Sequence, residues 1–199
     1  MYVGRIVLVG RTGGQSWVAY RVSSRSFPNR SAQVCGSGVM VSPRDPADLA
    51  RNPYIAYNCI RAQDGFAVVS NGDHTDMIFE RISDGSKPLD AIALSLVAYG
   101  YERDELKTPR IAGAVRGEEA ILGIASADEV RAKSFHLEDG DAYMVATYEK
   151  TEFEALDMAG RDASSLARAA YGLPLKLPVC SAAAMQSDRG YDLAVYNPR

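Results

Sequence analysis

The chain lacks the short signatures that announce common cofactor chemistry. It has no Gly-x-x-x-x-Gly-Lys-Ser/Thr loop, no Gly-x-Gly-x-x-Gly fingerprint, no His-Glu-x-x-His pair and no Cys-x-x-Cys. The P-loop, dinucleotide-binding, zinc-protease and thiol-redox classes therefore lose their usual sequence support. With two histidines, His74 and His136, a histidine-centred triad has few ways to form. Three cysteines, Cys35, Cys59 and Cys180, are an odd number without metal-like spacing. Neither a disulfide framework nor a zinc site is indicated, and buried free thiols are expected. Long apolar runs are missing too. The longest central one, Ala91 to Tyr99, is broken by Ser95 and is far short of a membrane span. Met1-Tyr2-Val3-Gly4-Arg5-Ile6 shows no basic leader with a long apolar core, so a cytoplasmic protein is expected. Without a secretion signal, the Asn29-Arg30-Ser31 sequon has no consequence.

Lysine is absent from residues 1–61, which carry eight arginines against Asp45 and Asp48, a net of +6. Residues 62–199 carry 14 basic and 23 acidic side chains, a net of −9, and the sum is −3. A pI near 5.5 argues against a nucleic-acid or anionic-membrane binder, while a local basic pocket for a small anion stays open. The densest part of that basic third is Arg21-Val22-Ser23-Ser24-Arg25-Ser26-Phe27-Pro28-Asn29-Arg30. Guanidinium forks match phosphate oxygens, and serine hydroxyls with loop N–H groups fill the remaining acceptor positions. A solvated basic turn would account for the same residues.

What is present describes a globular protein: 199 residues, 47% apolar and 24% charged, with one domain expected over 1–199. Strands are expected at Tyr2 to Val9 and Ser16 to Val22 around a Thr12-Gly13-Gly14-Gln15 turn. A second hairpin, Tyr54 to Arg61 and Phe66 to Ser70, would turn at Gln63-Asp64-Gly65. Asp73 or Thr75 can cap a helix reaching Ile82, and Pro88 with Asp90 opens another towards Tyr101 that packs on a sheet. Strands then resume at Ile111 to Val115, Ala120 to Ser126, Val130 to Leu137 and Ala142 to Tyr148, the last two joined through Glu138-Asp139-Gly140-Asp141. A helix over Asp162 to Tyr171 and strands at Val179 to Met185 and Tyr191 to Tyr196 end the chain. Hairpins with helices inserted in blocks indicate an α+β protein with antiparallel sheets.

Four polar clusters could carry chemistry: the Arg21–Arg30 segment, residues 51–58, residues 70–76, and residues 101–110. In an extended segment Tyr54 and Tyr57 face opposite sides, so one can line a cleft while the other packs. Asn71-Gly72 can be simply a turn ahead of a helix that starts near His74 and Asp76. Glu102, Asp104 and Glu105 read as a solvated helix end, although acids there oppose the helix dipole.

These clusters, with the Met1-Tyr2-x-Gly4-Arg5 start, resemble the archaeal-type IMP cyclohydrolase family in order over residues 1–125. The C-terminal third matches by length and strand pattern. The resemblance implies closure of 5-formamidoimidazole-4-carboxamide ribonucleotide to IMP with loss of water. It also implies a four-layer αββα sandwich like the N-terminal nucleophile hydrolases, although Met1-Tyr2 departs from the Cys, Ser or Thr start of those enzymes. Ring closure within one molecule needs a held conformer and proton movement, and no metal or other cofactor is expected. By the same resemblance Tyr57, Glu102 and Arg30 are the catalytic candidates. Arg21, Ser24 and Arg25 would anchor the nucleotide, with Asn58, Asn71, Asp76, Thr108 and Arg110 completing the pocket. An unperturbed glutamate is ionised and a tyrosine protonated at neutral pH, so Glu102 as base and Tyr57 as donor is the simpler assignment. The expected partners are purine ribonucleotides and further copies of the chain, as a tetramer. A nucleotide-binding regulator without catalysis is the competing reading. An amide hydrolase would need internal cleavage to expose a nucleophile.

Overall fold

The computed structural model describes residues 1–51, 55–63 and 65–198. The expected Tyr54 strand start and the Asp64 turn position lie outside them. The described residues form two antiparallel sheets. One has the order β11-β10-β1-β2-β12-β13, built from β1 (Arg5–Thr12), β2 (Gln15–Ser23), β10 (Ala142–Ala146), β11 (Glu154–Ala155), β12 (Pro178–Ser187) and β13 (Gly190–Tyr196). The other runs β3 to β9 in sequence order: β3 (Arg30–Cys35), β4 (Gly38–Pro43), β5 (Tyr57–Gln63), β6 (Phe66–Ser70), β7 (Arg110–Arg116), β8 (Glu119–Ala125) and β9 (Val130–His136). The helices are α1 (Ala47–Arg51), α2 (His74–Ser83), α3 (Pro88–Tyr99) and α4 (Ala163–Gly172).

Side-chain alternation along the strands sorts the apolar residues into three cores. In β2, Val18, Tyr20 and Val22 face the opposite sheet and meet Val7, Val9, Ile60, Val69 and Leu122. Trp17 and Ala19 face the other way, against Leu166, Ala167 and Ala170 of α4. On the outer side of the seven-stranded sheet, Ile78, Phe79 and Ile82 of α2 and Ile92 and Leu96 of α3 pack on Val68, Ala114 and Ile121. Close approach of α3 requires Gly123 in β8. A Cβ there would stand 2.5 Å from Ile92 and 2.7 Å from Leu96.

The first hairpin, the β7–β8 pair, α4 and the final β12–β13 pair lie where the sequence placed them. Five expectations need correction. The basic segment is not one loop, because β2 runs through Ser23 and β3 begins at Arg30, and the β3–β4 hairpin went unforeseen. Strands β9 and β10 are not a hairpin. β9 pairs with β8 and β10 with β1, so residues 137–141 cross between sheets. Helix α3 stops at Tyr99 because Gly100 takes a φ of 60°, which leaves Tyr101 and Glu102 in a loop rather than at a helix end. Asp73 is the N-cap of α2 without a side-chain cap bond, because its carboxylate pairs with Arg110. Of the thiols, Cys59 and Cys180 are buried but Cys35 is exposed.

No helix of the described residues is long and apolar enough to cross a membrane.

Candidate active site

Register brings the ends of several strands to one edge of the space between the sheets. Arg5 lies opposite Val22, Arg30 opposite Pro43, Val41 opposite Tyr57, and Arg110 opposite Ala125. At this edge Arg5 Nη2 donates to Glu102 Oε2 at 3.1 Å. The Tyr20 and Tyr57 hydroxyls are 2.7 Å apart. Arg30 donates from Nε to the Phe27 carbonyl at 3.2 Å and shares its strand face with Ala32 of the inter-sheet core. Its charge acts on both Tyr57 and Glu102.

Gly4 sets the position of Arg5. Its φ of +70° is in the left-handed region, and an added Cβ would collide with Thr147 Oγ1 and lie 2.8 Å from the Tyr148 ring. The Glu102 loop is tied down from two sides. The Glu102 N–H donates to the Thr108 carbonyl at 2.8 Å, and Thr108 Oγ1 donates to Asp104 Oδ2 at 2.6 Å. Having given its one proton to Asp104, that hydroxyl accepts from Tyr148 at 2.6 Å. Asn71 bridges the loop end to β7, donating to the Pro109 carbonyl at 3.0 Å and accepting from the Ile111 N–H at 2.8 Å.

Burial perturbs the groups gathered here. Glu102 is 3% exposed, and loss of solvent raises its pKa above the usual carboxylate range, against the opposing charges of Arg5 and Arg110. Its Oε1 is buried without a hydrogen-bond partner among the described residues. Burial also raises the pKa of Tyr57, against Arg30 and Arg5, and raises that of Tyr20 well above the ordinary phenol value. Burial pulls the Arg5 guanidinium down, but Glu102 and the neighbouring phenols outweigh it and keep it firmly charged. His74 is pushed down to about 3, chiefly by burial and then by Arg110. As a neutral ring its Nε2–H donates to the Ile111 carbonyl at 3.1 Å, which leaves Nδ1 to accept from Arg110 at 3.3 Å.

The structure thus gathers Tyr57, Glu102, Arg30 and Thr108 at one edge, while Arg110, on the β7 face of Ala112 and Ala114, pairs with Asp73 on the α2–α3 side and bears on Glu102 from there. Ser24 and Arg30 line a cleft with Asn29, Arg44, Leu177 and Pro178, and Arg110 lines a separate one with Tyr99, Tyr101 and Arg103. Arg25 lies over the Tyr2 ring, 4.4 Å from its centroid. Arg21 goes elsewhere, a correction to its expected place in a phosphate loop. Alternation in β2 sends it to the α4 side, fully buried, where it donates to the carbonyls of Ala170, Leu173 and Leu175. Asn58 and Asp76 are likewise drawn apart from Tyr57. Asn58 faces α2, where its amide donates to Asp76 at 3.0 Å, and Arg61 pairs with the same carboxylate. Sequence reasoning did not pick Arg5, Tyr20, Arg44 or Tyr148 as site residues. A signal for Tyr20 was available, since strand alternation places a phenol among Val18 and Val22 in the core. Among the described residues no group of three or more His, Cys, Asp or Glu could hold a metal ion.

A family model described as IMP cyclohydrolase-like protein matches residues 2–190. The chain is 67% identical over 199 residues to the IMP cyclohydrolase of Methanothrix thermoacetophila, covering 100% of both chains. It is 50% identical over 198 residues to that of Methanocella arvoryzae, covering 99% of this chain and 98% of the relative. Against the Halobacterium salinarum enzyme it is 42% identical over 200 residues, covering 99% of each. A solved protein from Silicibacter pomeroyi covers 98% of this chain and 82% of its own at 11% identity, with a TM-score of 0.38, too distant to bear on fold or function.

Proposed function

This chain belongs to the IMP cyclohydrolase family, and we propose that its Glu102 and Tyr57 move the protons of the ring closure while Arg5 and Arg30 hold the charges in place. The enzyme closes 5-formamidoimidazole-4-carboxamide ribonucleotide to IMP and releases water. The observation that carries the assignment is the buried Oε1 of Glu102, without a hydrogen-bond partner among the described residues, beside the Arg5 contact and at the strand edge that also holds Tyr57. An oxygen so placed accepts a substrate N–H in exchange for its lost hydration.

In the first step the carboxamide nitrogen attacks the formyl carbon, giving one proton to the Glu102 carboxylate while the formyl oxygen takes one from the Tyr57 hydroxyl. In the second, the new hydroxyl leaves as water with the proton held by Glu102, and the former formamido nitrogen gives its proton to the Tyr57 phenolate as the ring double bond forms. One proton from each substrate nitrogen accounts for the water released, and both protein groups return to their starting states. A raised pKa suits Glu102 to this cycle, because it narrows the gap between the carboxylate and the proton it takes. Holding the two reacting groups together supplies the remaining advantage.

Remote binding energy fixes that conformer. The Ser24, Arg30 and Arg44 cleft suits the phosphate, and Arg25 follows Ser24 in the chain as a further cation for it. Thr108 and Arg110 shape the other flank through the loop and His74. Asn71 serves by holding the Glu102 loop to β7. The three apolar cores support a four-layer αββα sandwich of the nucleophile-hydrolase kind in a single domain. Association into a homo-oligomer, a tetramer, fits the exposure of Leu94 and Val97 on α3, at 54% and 66%. A cytoplasmic site of action fits a phosphorylated substrate.

The test is turnover of metal-free protein with the formamido ribonucleotide, following IMP chromatographically, with Tyr57→Phe alongside. The expected result is IMP formation by the wild type and a fall in kcat of roughly 10²-fold in the variant. Full activity in the variant removes Tyr57 as the donor. No turnover by folded wild type would favour a nucleotide-binding regulator.

A further inference from the structure

The hydroxyl of Tyr20 plays no part in the reaction as described, yet it is held in the core at 1% exposure on a strand face where Val18 and Val22 flank it. Phenylalanine would fill the same volume without a polar group to satisfy, and a buried hydroxyl is tolerated only with a partner. Its partner among the described residues is the Tyr57 hydroxyl, at 2.7 Å, with the rings edge-on at 80°. Either oxygen can donate in this pair, and the two arrangements have different consequences. If Tyr57 donated, its proton would point into the core and that of Tyr20 would be buried with no acceptor among the described residues. If Tyr20 donates, its proton is satisfied within the core, and the proton left over is that of Tyr57, which stands at the strand edge and keeps 6% exposure.

We propose that Tyr20 is a positioning residue that donates its hydroxyl proton to the Tyr57 oxygen, aims the Tyr57 proton at the substrate, and steadies the phenolate that forms when it is passed on. The proposal rests on the reading of Tyr57 as proton donor. Electrostatics favour the same direction. Arg30 and Arg5 are both among the main influences on Tyr57, whereas among the described residues Arg5 is the cation with the largest influence on Tyr20, so negative charge gathers more readily on Tyr57. No group is consumed: Tyr20 keeps its proton throughout, and Tyr57 recovers its own when the ring nitrogen deprotonates.

The experiment is a double-mutant cycle on full-length enzyme with Tyr20→Phe, Tyr57→Phe and the double variant, reading kcat, KM and Tm for each. The expected result is a fall in kcat of roughly 10-fold to 100-fold for Tyr20→Phe with KM within two-fold, because the hydroxyl acts on proton transfer and not on binding. In the Tyr57→Phe background Tyr20→Phe should change kcat by less than two-fold, since its target is gone. A Tyr20→Phe enzyme with wild-type kcat overturns the proposal. So does a loss that repeats in full in the Tyr57→Phe background, which would show that Tyr20 acts through packing. If Tyr57→Phe itself is fully active, the donor reading fails, and the proposal with it. Should Tyr20→Phe fold too poorly to assay, 3-fluorotyrosine at position 20 keeps the hydroxyl and strengthens it as a donor. A kcat that moves two-fold or more without a change in KM supports the role, and an unchanged kcat overturns it.

Discussion

Arg21 and Arg30 come from one basic segment and are both buried, at 0% and 3% exposure, but the fold uses them in opposite ways. Arg21 is at the end of a covered sheet face, and its guanidinium is taken up by carbonyls at 3.4, 2.7 and 2.5 Å around the end of α4. Arg30 opens β3 at the inter-sheet edge, is held by a bond to Phe27, and lends its charge to Tyr57 and Glu102. A buried polar group whose valences are filled by the backbone builds structure. One that keeps a valence open beside other titratable groups is available for chemistry. The same contrast separates Asn71, bonded on both sides of its amide, from Glu102, whose Oε1 has no partner among the described residues.

The sharpest test crosses the two regions. Glu102→Gln keeps the shape and can still accept from Arg5, so Tm should hold while kcat falls by roughly 10²-fold to 10⁴-fold. Arg21→Met should do the reverse. Loss of charged hydrogen bonds to several carbonyls costs about 3 kcal/mol, which lowers Tm by roughly 10 °C at this chain length. Turnover per folded molecule at a permissive temperature should stay within two-fold of wild type. Thermal melts and active-site-normalised kinetics read both. A Glu102→Gln enzyme that keeps its turnover, or an Arg21→Met enzyme that folds normally and loses substrate affinity, breaks the contrast.

The comparison also shows what the sequence could and could not disclose. Alternation alone separates neighbours on a strand, as it does Tyr54 and Tyr57 in an extended segment, and along Ser16 to Val22 the same rule puts Arg21 on the face opposite Tyr20. Family resemblance grouped residues by their order along the chain, which cannot tell the two faces of a sheet apart, and so Asn58 and Asp76 were joined to Tyr57. The Arg5–Glu102 bond, 97 residues apart in sequence, and the crossing from β9 to β10 depend on how the sheets stack. No local pattern encodes either. Residues 101–110 were recognised as special because acids at a helix end oppose the dipole, and the resolution lies in Gly100, which ends α3 before them.

A smaller effect concerns pH. Burial holds Glu102 above the usual carboxylate range, and a base must be ionised to work, so the acidic limb of kcat/KM should lie at higher pH than that range. Arg5 opposes the shift, so Arg5→Met should move the limb further up. Stability follows the other sign. The folded chain binds this proton more tightly than the unfolded one, so the contribution is full below the ordinary glutamate pKa and is lost as pH rises through the raised value. Kinetic and melting profiles across acidic pH should therefore run in opposite directions, and Glu102→Gln should flatten the melting difference. A limb at or below the ordinary carboxylate range would show that Arg5 and Arg110 outweigh burial.

The smallest expected effect lies on the outer face of the seven-stranded sheet, where Asp76 takes bonds from Asn58 and Arg61. This group resembles the Glu102 edge in composition, with a carboxylate, an amide and an arginine, but not in setting. The Asp76 side chain is 39% exposed and that of Arg61 29%, and the guanidinium rests on the Phe79 ring at 3.9 Å. In contact with water such a pair contributes roughly 0–1 kcal/mol. Asp76→Asn should accordingly leave kcat/KM within two-fold and lower Tm by no more than a few degrees. Tyr57 stands on the other side of β5, with the strand between it and Asp76, so no direct contact can carry an effect to the reacting atoms. A tenfold or larger loss of kcat/KM in Asp76→Asn with an unchanged melt would mean that substrate reaches the outer face, and that Asn58 and Asp76 belong with the site after all.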